Sequence, residues 1–138
     1  MNDCIFCKIA VKEAPAEIIF ENDRIISFLD INPINYGHTL IIPKEHYKEF
    51  HQIPDDVSQE LIIVISKVSK AILESLKPHG YNIFTNNGRF AGQAIMHCHF
   101  HIVPRFMNDG FKFRPHPKSY KQNEMQLYGN LIREKIKN

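Results

Sequence analysis

"MHCHFHIVPR", Met96 to Arg105, decides how this chain folds. Three histidines, His97, His99 and His101, alternate with Cys98, Phe100 and Ile102. Side chains two apart on a strand share a face, so a strand here lines up three imidazoles and turns the other three residues into a core. A helix would scatter the same histidines over roughly 400° and destroy the cluster. Three in five residues is more than a polar outer face needs. Two chemistries remain open: imidazole nitrogens can hold a metal, or histidine can serve as acid, base or nucleophile near neutral pH.

The stretch before it, "NNGRFAGQAIM" from Asn86 to Met96, is rich in glycine and in the neutral hydrogen-bonding residues Asn86, Asn87 and Gln93. Such a loop brings N–H groups close to phosphate oxygens. A metal on the row would want a carboxylate beside it, and the nearest acid downstream is Asp109. The pair of segments therefore favours an anion site.

Working outward, Ile18–Phe20 and Ile25–Leu29 flank the polar turn Glu21-Asn22-Asp23, a hairpin pattern. "GHTLIIP", Gly37 to Pro43, predicts a third strand. In "PDDVSQELIIVISKVSKAILESLK" the period changes: Val57, Leu61, Val64, Ile65, Val68, Ile72 and Leu76 recur at helical spacing. Pro54 with Asp55 and Asp56 suits the start of that helix. Ile62 and Ile63 widen its apolar stripe, which predicts either a partner subunit or a deeper internal contact. "YNIFTN" and "MHCHFHIVP" give two more strands, and Gln122–Lys137 a final helix with Met125, Tyr128, Ile132 and Ile136 on one side. The order predicts an α+β domain with a mostly antiparallel five-stranded sheet and two main helices.

The 138 residues, 43% of them apolar, suffice for one domain spanning 1–138. A net charge of +2 with interspersed signs calls for neither nucleic acid nor membrane. The basic stretch "YKQNEMQLYGNLIREKIKN" reads as a solvated helix face. "MNDCIFCKIAVKEAP" carries charge where a signal peptide needs an apolar run. No segment approaches the roughly 18 apolar residues that span a bilayer. Three cysteines are too few for a secreted disulfide framework, so a reducing, cytoplasmic setting is expected. Cys4-x-x-Cys7 cannot make a Cys₄ zinc site with so few thiols, but two histidines could complete a tetrahedron. The alternatives are two unpaired thiols or, less suitably, a redox pair. Cys98 faces the core and is inert.

"GQAIMHCHFHIVPR" resembles the signature of the histidine triad (HIT) family, "FLDINPINYGHTLIIPKEH" its other characteristic segment, and "CIFCKIAVKEAPAEIIFEND" the N-terminus of its bacterial-type members. The resemblance covers about residues 4–106, leaving 107–138 as a C-terminal extension, and is nearest the Hint-like branch. It implies a HIT-like fold and an enzyme that releases a nucleoside monophosphate, AMP above all, from phosphoramidates or related nucleotides. By that resemblance His99 is the nucleophile that forms a nucleotidyl-histidine, its other ring nitrogen donating to a loop carbonyl, that of Gly92. His101 and His38 flank the α-phosphate, Gln93 and Asn86 hold its oxygens, and Asp30 accepts the ribose hydroxyls. Ile5, Phe6, Ile9, Phe28, Leu29 and Ile31 form the slot for the base. Cys4, Cys7, His46 and His97 form a structural zinc site, and the chemistry itself needs no metal. The resemblance also implies a homodimer whose sheets join. Ala94 departs from it, because many relatives carry a serine or threonine there whose hydroxyl helps the leaving group. The competing readings are a dinucleoside-polyphosphate hydrolase, a nucleotide-binding regulator with little turnover, and a metal protein using the histidine row itself.

Overall fold

A computed structural model describes residues 3–137, so the first two residues and the last of the expected 1–138 span lie outside it. The elements run α1 (Ile5–Ala10), β1 (Ile18–Glu21), β2 (Ile25–Leu29), β3 (Thr39–Pro43), α2 (Asp55–Leu76), β4 (Gly80–Thr85), β5 (Phe100–Arg105) and α3 (Glu124–Arg133). The strands form one sheet in the order β1-β2-β3-β5-β4, each pair antiparallel. This is the α+β architecture that the alternation of periods predicts.

The first hairpin closes on Asn22, whose side chain accepts from the N–H groups of Arg24 (3.0 Å) and Ile25 (2.8 Å). Asparagine does this readily in turns. Pro54 precedes α2, Asp55 and Asp56 occupy its first turn, and Lys77 ends it in a left-handed conformation. The residues of α2 at helical spacing, Val57 to Ile72, are buried against Ile25, Ile41, Cys98, Phe100 and Ile102. On the other face of the sheet, Phe6 and Ile9 of α1 pack on Ile26, Phe28, Leu40 and Ile42. Strands covered on both sides need apolar residues throughout, and β2 and β3 read IISFL and TLIIP.

Three boundaries depart from the sequence reading. α1 was not expected; six residues carry too little periodicity to announce a helix. The final helix is shorter than Gln122–Lys137 and buries none of its residues. β5 begins only at Phe100, because the backbone of residues 97–99 is bonded elsewhere, with the Cys98 N–H donating to the Tyr47 carbonyl at 2.6 Å. The alternation survives this: Cys98, Phe100 and Ile102 join the α2 core, while His101 sits opposite Leu40 and Phe84 on the other face. Ile62 and Ile63 stay half exposed, at 53% and 55%, so no internal contact accounts for them. Among the described residues, no helix is long and apolar enough to cross a membrane.

Candidate active site

α1, the end of β2 and the histidine row enclose a cleft of about 470 Å³. Ile5, Phe6 and Ile9 line it from α1; Phe28, Leu29, Asp30 and Ile31 from β2 and the turn after it; His99 and His101 from the row. Pro15, Ala16, Asn32, Leu40, Ala94 and Ile95 complete its lining. It is an apolar slot with polar groups gathered at one end, the usual form of a small-molecule site. No lysine or arginine lines it among the described residues. Asp30 is held by its turn, Oδ1 accepting from the Asn32 N–H at 2.8 Å, and Oδ2 lies 3.7 Å from His38 Nε2.

The hydrogen bonds fix the state of each imidazole, because a backbone N–H can only donate and a carbonyl only accept. The Ile34 N–H donates to His38 Nδ1 at 3.0 Å, so neutral His38 carries its proton on Nε2. That proton is donated to His101 Nδ1, 2.9 Å away. His101 is left with its proton on Nε2, and this buried nitrogen has no partner among the described residues. His99 donates from Nδ1 to the His97 carbonyl at 2.6 Å, which leaves the lone pair on its Nε2. The acceptor is thus His97 rather than Gly92: the chain bends at Ile95–His97 before the strand starts, which brings the His97 carbonyl within reach of the His99 ring. The site therefore offers one N–H donor and one nucleophilic nitrogen on rings whose centroids are 5.0 Å apart.

Burial holds all three in the neutral form. It lowers His38 and His99 below the usual histidine value and, with the nearby His99 and His38, takes His101 down to about 4. A neutral imidazole keeps the lone pair that attack requires.

His97 belongs to a different centre. It is fully buried, and its Nε2 donates to the Pro43 carbonyl at 2.8 Å. The free lone pair on Nδ1 then faces Cys4 Sγ at 3.4 Å and Cys7 Sγ at 3.6 Å, while His46 Nδ1 lies 3.3 Å from Cys7 Sγ. A zinc tetrahedron with ordinary bond lengths has S···N edges of about 3.6 Å. The donor set fits, and the Pro43 carbonyl supplies the outer contact that orients a ligating histidine. Burial and the adjoining Cys4 push the Cys7 thiol up to about 11. The three histidines of the row consequently do not converge on one ion: His97 turns to the thiols, His101 to His38.

The glycine-rich loop is arranged differently from expectation. The Gln93 amide donates to the Lys48 and Ile95 carbonyls, at 2.7 and 3.1 Å, and its oxygen accepts from the Gly88 N–H at 2.8 Å. Both its donors are committed to bracing the loop. Asn86 faces a neighbouring cavity with Phe84, Phe111 and Phe113. Gly92 closes the turn at φ +96°, a backbone conformation that L side chains rarely adopt.

Several residues that shape the site had no signal in the sequence. The Thr85 hydroxyl donates to the His99 carbonyl at 2.8 Å. Phe84 stacks on His101 with centroids 4.5 Å apart. Asp109 accepts from Arg105 (2.8 and 3.1 Å) and from Asn35 (2.9 Å), tying the exit of β5 to the loop that carries His38. Arg105 is bonded besides to the Phe111 carbonyl. Thr85, Phe84 and Asn35 reach these partners from a neighbouring strand or a distant loop, so only the register reveals them.

Residues 11–108 match the model of the HIT domain. The adenosine 5'-monophosphoramidase of Schizosaccharomyces pombe is 38% identical, over 97% of this chain and 98% of its own. Among solved structures, a HIT family member from Bacillus subtilis superposes with a TM-score of 0.91 at 34% identity, covering 99% of both chains. The zinc-bound histidine triad family protein of Mycobacterium smegmatis superposes with a TM-score of 0.76 at 34% identity, over 96% of this chain and 92% of that one.

Proposed function

The chain belongs to the HIT domain family, and from that premise we propose that it is a nucleotide hydrolase releasing AMP or a similar monophosphate from a nucleoside phosphoramidate. The observation that carries the reading is the pair of assigned imidazoles that line one cleft: His99 with a lone pair on Nε2, and His101 with a buried Nε2–H that has no partner among the described residues. The relative named as an adenosine 5'-monophosphoramidase supports this substrate class.

In this mechanism the base lies between Phe6, Ile9 and Phe28, and the ribose hydroxyls donate to Asp30. The His101 N–H donates to a phosphoryl oxygen and offsets the charge that builds there. His99 Nε2 attacks phosphorus; the N–P bond to the ring forms as the P–N bond to the leaving amine breaks, and the amine departs carrying a proton drawn from solvent. Water then attacks the same phosphorus, the ring–phosphorus bond breaks back to His99, and the water gives up its proton as the monophosphate leaves. Splitting hydrolysis into two displacements lets the same donors serve both. The absence of lysine and arginine from the cleft puts that work on N–H dipoles.

Cys4, Cys7, His46 and His97 belong to the same reading as ligands of a structural zinc ion, which would close the N-terminus onto the sheet without touching the phosphate. The zinc-bound relative supports it. A second copy of the chain belongs to it as well: Ile62 and Ile63 of α2 and Tyr81 and Ile83 of the edge strand β4 leave apolar surface open on one side of the sheet.

The test is intact-protein mass spectrometry after rapid mixing with an adenosine phosphoramidate. Wild type is expected to carry an adenylyl adduct that His99→Ala lacks, with turnover of the variant lower by about 10⁴-fold or more. Tight AMP binding with neither adduct nor released product would replace the enzyme by a nucleotide-binding regulator.

A further inference from the structure

The geometry points to the Cys4–Cys7–His46–His97 cluster as the device that sets nucleotide affinity, so that zinc and nucleotide bind with positive cooperativity. This rests on the zinc and nucleotide readings above and goes beyond both, since in them the ion is only a staple.

Three links join the cluster to the cleft. The first is α1. It is six residues long, too short to persist by its own hydrogen bonds. Its thiols, Cys4 at the N-cap and Cys7 one turn on, face the cluster, while Ile5, Phe6 and Ile9 from the same turns form a wall of the cleft. Whatever fixes the thiols therefore fixes the wall. The second link is Phe6, whose ring meets His99 edge-on at 5.0 Å and His97 at 5.9 Å. One side chain bridges ligand, nucleophile and slot. The third is His97 itself. Its ring turns to the thiols and its carbonyl accepts the His99 N–H. A ligand bond on that ring holds the backbone that sets which nitrogen of His99 is free.

An empty cluster leaves α1 attached by the packing of Phe6 and Ile9, and a nucleotide must then order the wall of its own slot as it binds. Filling the cluster first removes that ordering cost. Coupling of this kind is reciprocal: the factor by which zinc tightens nucleotide binding is the factor by which nucleotide tightens zinc. Couplings between sites commonly run about 5- to 150-fold, and α1 sits directly between these two.

The experiment measures AMP affinity by calorimetry on the zinc-loaded protein and on protein stripped with a chelator, circular dichroism confirming that the stripped chain stays folded. In parallel, zinc affinity is read on the whole protein by competition with a chromogenic chelator, with and without saturating AMP. That second arm does not depend on the stripped state holding together. The expected result is AMP binding weaker by about tenfold without zinc and the same factor in zinc affinity. Phe6→Leu, which keeps the slot apolar, is expected to leave zinc content at one per chain while shrinking the factor. Equal AMP affinity in both states, with zinc affinity unmoved by AMP, overturns the inference alone. A chain that takes up no zinc overturns it together with the zinc reading, and a zinc-loaded chain that binds no AMP overturns it together with the nucleotide reading.

Discussion

His38 Nε2 lies 2.9 Å from His101 Nδ1, and the Ile34 N–H on the far side of the His38 ring dictates which of the two donates. A backbone amide outside the cleft thus decides that His101 carries its proton on Nε2, an atom that is buried and unpartnered among the described residues. Tautomers in active sites are commonly set by the bond at the opposite nitrogen.

His38→Phe breaks this relay while keeping a ring of similar size. His101 is then free to carry its proton on either nitrogen. The expected result is a loss of about 10²-fold in kcat with KM little changed, because the lost contact matters most once charge develops on the phosphoryl group. A steady-state comparison with an adenosine phosphoramidate checks it. An equal fall in affinity for AMP would assign His38 to binding instead.

Stability should depend on acid in a defined window. Histidine in the unfolded chain titrates near 6.5, and burial lowers folded His101 to about 4. Between those values the unfolded chain holds more protons than the folded one, so acid favours unfolding. Stability attributable to this ring is complete above about pH 6.5 and is lost as the pH falls towards about 4. Urea midpoints measured across pH 4–8 should show the slope, and His101→Gln should flatten part of it.

Thr85→Val removes the hydroxyl that donates to the His99 carbonyl at 2.8 Å and leaves that oxygen short of a partner. A cost of about 1–3 kcal/mol in denaturant unfolding is expected. Turnover should fall as well, since the backbone of the nucleophile loses its brace. Unchanged turnover in a destabilised variant would show that the brace serves the fold only.

Ala94 lines the cleft at the position where the family resemblance implies a serine or threonine. Ala94→Ser should speed release of poor amine leaving groups, by up to about 10²-fold if the hydroxyl relays a proton. AMP affinity should stay within about twofold of wild type, a shift of less than RT ln 2. Rates for a series of amines of rising pKa would check it, the gain growing as the leaving group worsens.

Gly37→Ala places a side chain at φ +92° and drives its Cβ into Leu76 Cδ1 at the end of α2. A loss of about 1–3 kcal/mol follows from the backbone strain, since the tip of the half-exposed Leu76 side chain can swing aside. Thermal unfolding reads it directly.

Much of this site is legible in the sequence. The period of α2 and the alternation in β5 are strong signals because each repeats over several residues on one buried face. Asp30, Phe28, Leu29 and Ile31 adjoin each other at the end of one strand, so their common cleft follows from local order. The loop was another matter. Gln93 looks free to meet a ligand until Lys48, 45 positions away, turns out to hold its amide. His99 likewise finds its acceptor in His97 because the chain bends there before it joins the sheet, a detail that the alternation does not announce. α1 was missed because its signal is six residues long and shared with two cysteines.

The placing of core and chemistry on opposite sides of β5 gives this chain a parity. Phe100 and Ile102 answer to α2, while His101 answers to the cleft. Deleting or inserting a single residue in the strand would exchange His101 for a core side chain and bury the wrong set. The distance from His101 to Phe100 and Ile102 is therefore fixed by the pleat, whereas the loop from Asn86 to Met96 is under no such counting rule. Changes of length in a lineage of such proteins are expected before the row and after it, and not within.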